Sequence, residues 1–361
     1  VVHSRIDVPG FDRGMMDGFA VRAADTQGAS AYNPLPLRVV ADILPGEICP
    51  HTLQPGQAAR IMTGAPLPSG ADAVLPAERT QVDGDQLWAQ GEVPPDKNVG
   101  RRGEDIQADR CVLPGGRRLR PQDLGVLSSI GQPQVSVVRK PRVQIVITGN
   151  ELLPSGQHPS GCQIVDANGP MLSALAQRDG GQGLERRLLP DDAAEILKAM
   201  QSDVDMVLIS GGSSVGIEDH APRLLARHGQ LAVHGIAMRP SGPSGMGQLE
   251  HRLVFLLPGN PVSCLCAYDF FAGRALRQLG GRTPQWPYQR LRLPLRRKLV
   301  SQVGRVDYAR VAVSDGQVEP LAISGASVLT STTRADGFVI IEDDSEGCPP
   351  GTIVEVFLYD S

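Results

Sequence analysis

A Gly/Ser-rich segment in the second half of the chain has the residue types of an anion-binding loop. It follows an apolar run over residues 206–209 and reads Ser210-Gly211-Gly212-Ser213-Ser214-Val215-Gly216. Successive backbone N–H groups in such a loop can face one anion, and the N-terminus of a following helix adds positive partial charge. Asp219, three residues further on, places a carboxylate beside that anion. The combination indicates chemistry on a phosphorylated ligand, with a divalent metal.

Further polar residues follow the predicted strands around this loop. Apolar runs predict strands at 143–147, up to 189, at 204–209 and at 253–257, with helices at 168–178, 192–200, 218–228 and 261–279. Alternating strands and helices indicate βαβ units and a mostly parallel sheet. The residues that follow the four strands are, in order, Glu151, Asp191 with Asp192, the glycine loop with Asp219, and Pro258-Gly259-Asn260-Pro261.

The carboxyl ends of strands in an open parallel sheet lie along one edge, where ligands bind. We therefore expect Glu151, Asp191, Ser214 and Asp219 to converge. Any one of the acids is also explained by a helix cap or a turn. Their shared position is what favours a site.

Two further acids lie beside glycines in the first third of the chain. Asp17 lies in Met16-Asp17-Gly18, and Asp105 ends Arg102-Gly103-Glu104-Asp105. Several carboxylates would repel a phosphate unless Mg²⁺ came between them. The sequence lacks a Walker A segment, a G-x-G-x-x-G after a strand, H-E-x-x-H and G-x-S-x-G, which argues against the corresponding enzyme classes.

Composition places the chain among soluble globular proteins, with 41% apolar and 20% charged residues in 361. A net charge of −4 gives no electrostatic basis for nucleic-acid binding, and the short basic clusters are those of solvated turns. Six scattered cysteines without a C-x-x-C indicate neither a zinc site nor a disulfide framework. We expect a cytoplasmic protein with no membrane span, no signal peptide and a trimmed N-terminus, because the chain opens without Met.

Differences in residue pattern along the chain predict four regions. The fold class is α/β plus β, multidomain, with a three-layer α/β domain, a small β domain, a linking α+β region and a C-terminal β-barrel-like domain. Residues 1–34 are predicted to be loop-like, and residues 105–140 to contain one helix near 120–130 with short strands. Residues 35–104 form the small β domain, 141–285 the α/β domain and 286–361 the C-terminal β domain.

Seven segments, in order along nearly the whole chain, resemble the molybdopterin molybdenumtransferase family of the MoeA and gephyrin E-domain type. The most specific are Met16-Asp17-Gly18, Met62-Thr63-Gly64-Ala65-Pro66 and Leu257-Pro258-Gly259-Asn260-Pro261-Val262-Ser263. The others are the segments at 8–12, 102–106, 148–152 and 210–216.

The resemblance implies an elongated homodimer of four-domain subunits, in which residues 1–34 and 105–140 form the linking and dimerisation region. It places the active cleft between the α/β domain of one subunit and the small β domain of the other. It implies insertion of molybdate into adenylated molybdopterin, with Mg²⁺ and release of AMP, in molybdenum cofactor biosynthesis. A molybdopterin adenylyltransferase and apo-molybdoenzymes are the implied partners. The choice between molybdenum and tungsten stays open.

Matched position by position, the resemblance assigns functional roles to eight residues: Asp17, Thr63, Asp105, Glu151, Asp191, Asp219, Pro258 and Pro261. Our hypothesis is that the loop from Gly211 to Gly216 holds the terminal phosphate of the pterin, while Asp191 and Asp219 bind Mg²⁺ or order its waters. Asp17, Thr63 and Asp105 of the partner subunit would then face the molybdate.

The chain departs from the family at a lysine-rich pattern. Two lysines are replaced by Gly235 and Gly242, and a third by Arg239, which keeps the charge and can grip an oxyanion bidentately. Arg13 either compensates for a lost lysine or lies at the surface. Two alternatives therefore stay open: a related pterin adenylyltransferase, and a paralogue that carries the cofactor or scaffolds a partner without catalysis. Retention of the carboxylates favours the molybdenumtransferase.

Overall fold

A computed structural model of the chain describes residues 1–211, 220–322 and 325–359. The fold divides into an N-terminal unit, residues 1–136, and a C-terminal unit, residues 137–361. None of the helices in the described ranges has the length and apolar character that crossing a bilayer requires.

The N-terminal unit is built on a six-stranded sheet with the order β6-β3-β5-β4-β8-β7. Its one α-helix packs with a small apolar cluster that includes Leu113 and Leu127. The strands of this unit are β1 (Val2–His3), β2 (Arg13–Gly14), β3 (Gly18–Val21), β4 (Leu35–Ile43), β5 (Gln57–Ile61), β6 (Ala73–Pro76), β7 (Thr80–Asp83), β8 (Gln86–Ala89), β9 (Val99–Gly100) and β10 (Cys111–Leu113), and the helix is α1 (Pro121–Ser129).

The sheet takes one strand from the stretch that the sequence predicted to be loop-like. Strand β3 pairs with both β5 and β6, and all four of its residues are buried. A Cβ on Gly18 would collide with the carbonyl oxygen of Leu75, so this position admits only glycine. A four-residue strand buried on both faces has no alternation of polar and apolar residues, which is why the pattern missed it.

The C-terminal unit begins with a mixed sheet of order β14-β11-β15-β19-β18-β16, in which the first four strands are parallel and the last two antiparallel. Its strands are β11 (Arg142–Thr148), β14 (Gln182–Leu189), β15 (Met206–Ser210), β16 (Gln230–His234), β18 (Gly245–Leu249) and β19 (Arg252–Leu257), with the short pair β12 (Leu152–Leu153) and β13 (Ile164–Val165) beside it. Its helices are α2 (Asn168–Arg178), α3 (Ala193–Met200), α4 (His220–His228), α5 (Pro261–Ala267) and α6 (Gly273–Leu279).

Successive sheet residues point to opposite faces, so each face has its own core. Ile145 and Ile147 pack with Leu172 of α2 and with α5 and α6. Val146 packs instead with Ile196 of α3 and with α4. The result is the three-layer α/β architecture that the sequence predicted.

The predicted helix at 261–279 is interrupted by a π-helical turn over Tyr268–Ala272. The turn buries Asp269, whose carboxylate accepts hydrogen bonds from Arg178 (3.0 Å) and from the hydroxyl of Tyr288 (2.9 Å). Arg178 belongs to α2, so this buried ion pair ties two helices of one layer together.

The rest of the unit forms the predicted C-terminal β domain. Its sheet has the order β17-β22-β24-β26-β20, with β23 paired to β22. The strands are β17 (Met238–Arg239), β20 (Gln289–Pro294), β21 (Leu299–Val300), β22 (Val306–Ser314), β23 (Gln317–Ala322), β24 (Gly337–Ile341), β25 (Gly347–Cys348) and β26 (Ile353–Leu358), and α7 (Thr330–Thr333) is a single turn. Strand β17 comes from the stretch predicted to lie in the α/β domain, and it pairs in parallel with β22.

Candidate functional site

The four parallel strands of the α/β sheet end level with one another. Thr148 of β11 is paired with Leu189 of β14, and Ser210 of β15 is paired with Leu257 of β19. Ser210 is also opposite Ile147, one residue before the end of β11. The segments that follow these four strands therefore start from one edge of the sheet, as predicted.

Glu151 and Asp191 both lie just beyond this edge. The backbone N–H of Asp191 donates to the Oδ1 atom of Asn150 (3.2 Å), which links the segment after β14 to the turn that precedes Glu151. Neither the Glu151 nor the Asp191 carboxylate has a hydrogen bond or ion pair within the described residues, so both are available to a ligand. Asp192, by contrast, caps α3 by accepting from the backbone N–H groups of Ala194 and Glu195.

Gly211 brings the end of β15 into close contact with the end of β11. Its φ of +101° is in the left-handed region, and a Cβ there would collide with the carbonyl oxygen of Thr148 and lie 2.8 Å from Thr148 Oγ1. The backbone can thus approach a ligand at this point without a side chain in the way. Gly212, Ser213, Ser214, Gly216 and Asp219, the rest of the predicted phosphate loop and its acid, lie outside the described residues.

The segment after β19 forms the floor that the sequence assigned to two prolines. Pro258 is buried and its carbonyl oxygen accepts a hydrogen bond from Ser210 Oγ (3.2 Å). Pro261 begins α5, where its fixed φ suits the first helical turn. Beneath them Cys264 is fully buried, and burial raises the pKa of its thiol to about 12. Cys264 is therefore a neutral packing residue and no nucleophile.

Arg239 is already engaged. Its Nε and Nη2 atoms donate to the two carboxylate oxygens of Asp307, at 3.2 and 2.8 Å. Asp307 is fully buried, accepts from the Ser301 hydroxyl (2.7 Å) and pairs with Arg305 Nε (3.2 Å). Asp307 therefore occupies the Nε and Nη2 donors of Arg239, which were predicted to bind an oxyanion bidentately. Of the guanidinium nitrogens, only Nη1 is outside this ion pair. Two guanidinium groups share one carboxylate, which leaves this cluster a net positive charge.

In the N-terminal unit, Asp17 and Thr63 are in direct contact. The Oδ1 atom of Asp17 accepts hydrogen bonds from both the backbone N–H and the hydroxyl of Thr63, each at 2.8 Å. Backbone bonds between Gly14 and the 64–65 segment hold the two motifs side by side. These donors stabilise the charged form and lower the pKa of Asp17, the backbone N–H having the larger effect.

The side chains of the other predicted residues of this unit, which is described throughout, make no hydrogen bond or ion pair with Asp17 or Thr63. Asp105 is exposed, and its backbone N–H donates to Val8, while its carboxylate makes no hydrogen bond. Arg13 pairs with Glu104 (3.0 Å), so its charge is balanced within the unit.

Replacing Thr63 by Val should raise the pKa of Asp17 towards its usual range. Valine keeps the shape and the backbone N–H donor but removes the hydroxyl, so the carboxylate loses one of its two stabilising bonds. The pKa can be followed by NMR of the ¹³C-labelled Asp17 carboxyl as a function of pH. Thr63→Ser retains a hydroxyl and should titrate as the parent does. If the Val and Ser variants titrate alike, the hydroxyl bond does not set this pKa.

Sequence reasoning missed one buried residue at the strand-end edge. Asn168, the first residue of α2, donates its amide to Ser210 Oγ (2.9 Å) and to the carbonyl oxygen of Gly259 (2.7 Å). The only signal in the sequence is a polar Asp166-Ala167-Asn168 segment at a helix start, which is also typical of an ordinary cap.

The donor set at this edge fits a hard divalent cation. Mg²⁺ is usually held by one or two carboxylates together with substrate phosphates and water. Within the described ranges no three His, Cys, Asp or Glu side chains are grouped as a complete metal cage. Asp191, with a free carboxylate, supplies a ligand of the right type but only part of a coordination shell.

Three family models match successive parts of the chain. Residues 1–131 match the MoeA N-terminal region (domain I and II), 144–278 a probable molybdopterin binding domain, and 292–359 the MoeA C-terminal region (domain IV). Together the three matches describe a multidomain protein whose central α/β domain matches the probable molybdopterin binding domain.

Known proteins resemble the chain over nearly its full length. Molybdopterin molybdenumtransferase 2 of Mycobacterium tuberculosis is 34% identical, covering 98% of this chain and 89% of the relative. Molybdopterin molybdenumtransferase of Haemophilus influenzae is 32% identical, with coverages of 98% and 88%. The crystal structure of a molybdopterin biosynthesis MoeA protein from Pyrococcus horikosii has a TM-score of 0.87 at 34% identity, covering 100% and 90%. The chain belongs to the MoeA family, and the family resemblance inferred from its sequence is confirmed.

Proposed function

We propose that this protein is a molybdopterin molybdenumtransferase that inserts molybdate into adenylated molybdopterin and releases AMP, with Mg²⁺. The observation that carries the proposal is the level edge of the parallel sheet, just beyond which the chain places Glu151, Asp191 and the bare backbone of Gly211. Membership of the MoeA family, many of whose members are named for this activity, supports it.

The edge has the features that a phosphoanhydride substrate requires. The Gly/Ser sequence that follows Ser210 would offer backbone N–H donors to a phosphate, and Gly211, which has no side chain, would let the phosphate approach. Glu151 and Asp191 would otherwise repel that phosphate, so their presence favours a cation between them and the substrate. Asp191, with Asp219, would hold Mg²⁺, which when bound neutralises charge that develops on the departing AMP. Ser210 and Pro258 are bonded to each other and orient the floor.

We place the molybdate side of the reaction on two other groups. Asp17, kept ionised by Thr63, would act with Asp105 from the partner subunit. The Arg239 and Arg305 pair carries the positive charge that an oxyanion needs, although Asp307 holds one edge of Arg239. That surplus would offset part of the charge lost where glycines replace the family's lysines.

We propose a homodimer in which each active cleft uses both subunits. Large apolar side chains near the Asp17–Thr63 pair are exposed within the N-terminal unit: Phe11 (45%), Met15 (55%) and Met62 (38%). Exposed apolar groups close to polar functional residues are typical of a surface that a partner covers. A mass in solution of twice 38.4 kDa would agree with the dimer, and a monomer would contradict it.

A cytosolic location accords with six cysteines that are all free. A molybdopterin adenylyltransferase that supplies the substrate and apo-molybdoenzymes that receive the product would be the protein partners.

One observation favours an alternative function. The loss of two family lysines at Gly235 and Gly242 would suit a paralogue that binds and carries the cofactor without catalysis. The free carboxylates of Glu151 and Asp191 argue against that reading, because a carrier of an anionic ligand gains nothing from unpaired negative charge.

The test is AMP release from adenylated molybdopterin by the purified protein with Mg²⁺. The reaction is run with molybdate, with tungstate and with neither. We expect molybdate to stimulate AMP release. A comparison of the rates with molybdate and with tungstate then shows which metal the protein prefers. Tight pterin binding without AMP release in any arm would instead identify a carrier.

A further inference from the structure

Asn168 joins two loops that leave the sheet at the candidate site. It is 6% exposed and begins α2, a helix of the layer that covers one face of the sheet. Its Nδ2 atom lies 2.9 Å from Ser210 Oγ, at the end of β15, and 2.7 Å from the carbonyl oxygen of Gly259, just beyond β19. One side chain thus holds both loops from outside them.

The direction of each hydrogen bond in this group is determined. The Gly259 carbonyl oxygen can only accept, so the amide must point its nitrogen towards it. The Ser210 hydroxyl donates to the carbonyl oxygen of Pro258 and is left to accept from the same nitrogen. Both protons of Nδ2 are therefore used, and the Asn168 amide has one possible orientation.

This orientation leaves a buried acceptor without a donor among the residues that the structure describes. The Oδ1 atom of Asn168 has no hydrogen-bond partner within the described residues, and Thr148 Oγ1, beside Gly211, has none either. Unpaired buried polar atoms destabilise a fold and are rare in native proteins. Within the part of the chain that the structure describes, two such atoms lie at the edge that carries Glu151 and Asp191, which indicates that the amide serves the site as well as the packing of α2.

We propose that Asn168 is a positioning residue for the phosphate-bearing end of the pterin nucleotide. It acts through Ser210 and Gly259, because it sets the separation of the Ser210–Gly211 backbone from the floor that begins at Pro258. The backbone bond from Gly211 N–H to the Leu257 carbonyl oxygen is long, at 3.4 Å, and would hold this separation poorly by itself. The inference rests on the function proposed above.

The test compares Asn168→Ala and Asn168→Asp with the parent protein in steady-state AMP release. The Asp variant keeps the shape but loses both donors and adds a charge that repels the Gly259 carbonyl. We expect the KM for adenylated molybdopterin to rise about tenfold or more in both variants, as the loss of one or two hydrogen bonds produces. The KM for molybdate should change little. The melting temperature should fall in both variants, because two buried hydrogen bonds are lost, so the KM values are compared well below the unfolding transition.

Ser173→Ala is the matched control, because Ser173 lies on the same helix and, among the described residues, its hydroxyl donates only to the carbonyl oxygen of Gly169 (2.8 Å). It should leave both KM values unchanged. If the Asn168 variants fold poorly, Ser210→Ala removes one of the two acceptors and should give a smaller rise in the same KM. An unchanged pterin KM in these variants, or an equal rise in Ser173→Ala, would overturn the proposal. A parent protein that releases no AMP would instead refute the proposed function, so the two failures are distinct.

Discussion

Asp191→Asn is expected to lower Mg²⁺-dependent AMP release by on the order of 10² to 10³, with the fold intact. Asparagine keeps the shape of the side chain but removes the charge that would hold a cation against the phosphoanhydride, a contribution of several kcal/mol. Asp191 makes no side-chain hydrogen bond or ion pair within the described residues, so its replacement removes no visible structural contact. The measurement is the rate of AMP release over a range of Mg²⁺ concentrations.

The neighbouring Asp192 provides a matched control. Its side chain caps α3, so Asp192→Ala should cost about 1 kcal/mol of stability and leave AMP release near the parent rate. Equal activity losses in the two variants would show that the segment matters as a helix start only, and would remove Asp191 from the reaction.

Mixed dimers extend the same test to the arrangement of the subunits. Asp17→Asn and Asp191→Asn subunits, each inactive alone, are combined by co-expression or by refolding together. If each cleft uses Asp17 of one subunit and Asp191 of the other, a mixed dimer keeps one intact cleft, and the mixture should recover about a quarter of the parent activity. No recovery would place both residues in the cleft of a single subunit.

The sequence predicts the parallel half of the α/β sheet well, because three of its four strands, β11, β15 and β19, are mostly buried and almost continuously apolar. The fourth, β14, lies at the edge and contains three charged residues, which weakens its pattern. Strand β15 was predicted at 204–209 and lies at Met206–Ser210, and α2 begins at the predicted Asn168. The antiparallel extension was missed, because β16 exposes most of its residues and β18 contains two glycines, so neither shows a clear period of two.

The candidate site was predictable where chemistry follows a strand end, and unpredictable where it depends on distant pairing. Glu151 and Asp191 could be placed because parallel strands share an edge. The engagement of Arg239 by Asp307 joins residues 68 positions apart, and Asn168 reaches Gly259 across 91 positions. No local pattern encodes such contacts, since they are fixed only when the sheets and helices pack.

A second large effect is expected from Gly211→Ala. The added methyl group would meet the Thr148 carbonyl oxygen, and the residue would have to keep a φ of +101°, which side chains disfavour by about 1–3 kcal/mol. The end of β15 must therefore move away from β11, carrying with it the backbone that we propose to face the phosphate. A displacement of about 1 Å at such a point can cost on the order of 10² in rate. The readout is kcat/KM for adenylated molybdopterin, alongside the melting temperature.

Gly156→Ala separates the strain of the backbone from the clash. Gly156 belongs to the same unit and has a similar φ of +94°, but a Cβ there has no atom within 4 Å. It should lose a comparable amount of stability from φ and retain its activity. If Gly211→Ala loses no more activity than Gly156→Ala, the close approach of β15 to β11 contributes to packing and not to the reaction. If only Gly211→Ala loses activity, the position of the Ser210–Gly211 backbone at the sheet edge is what the reaction requires.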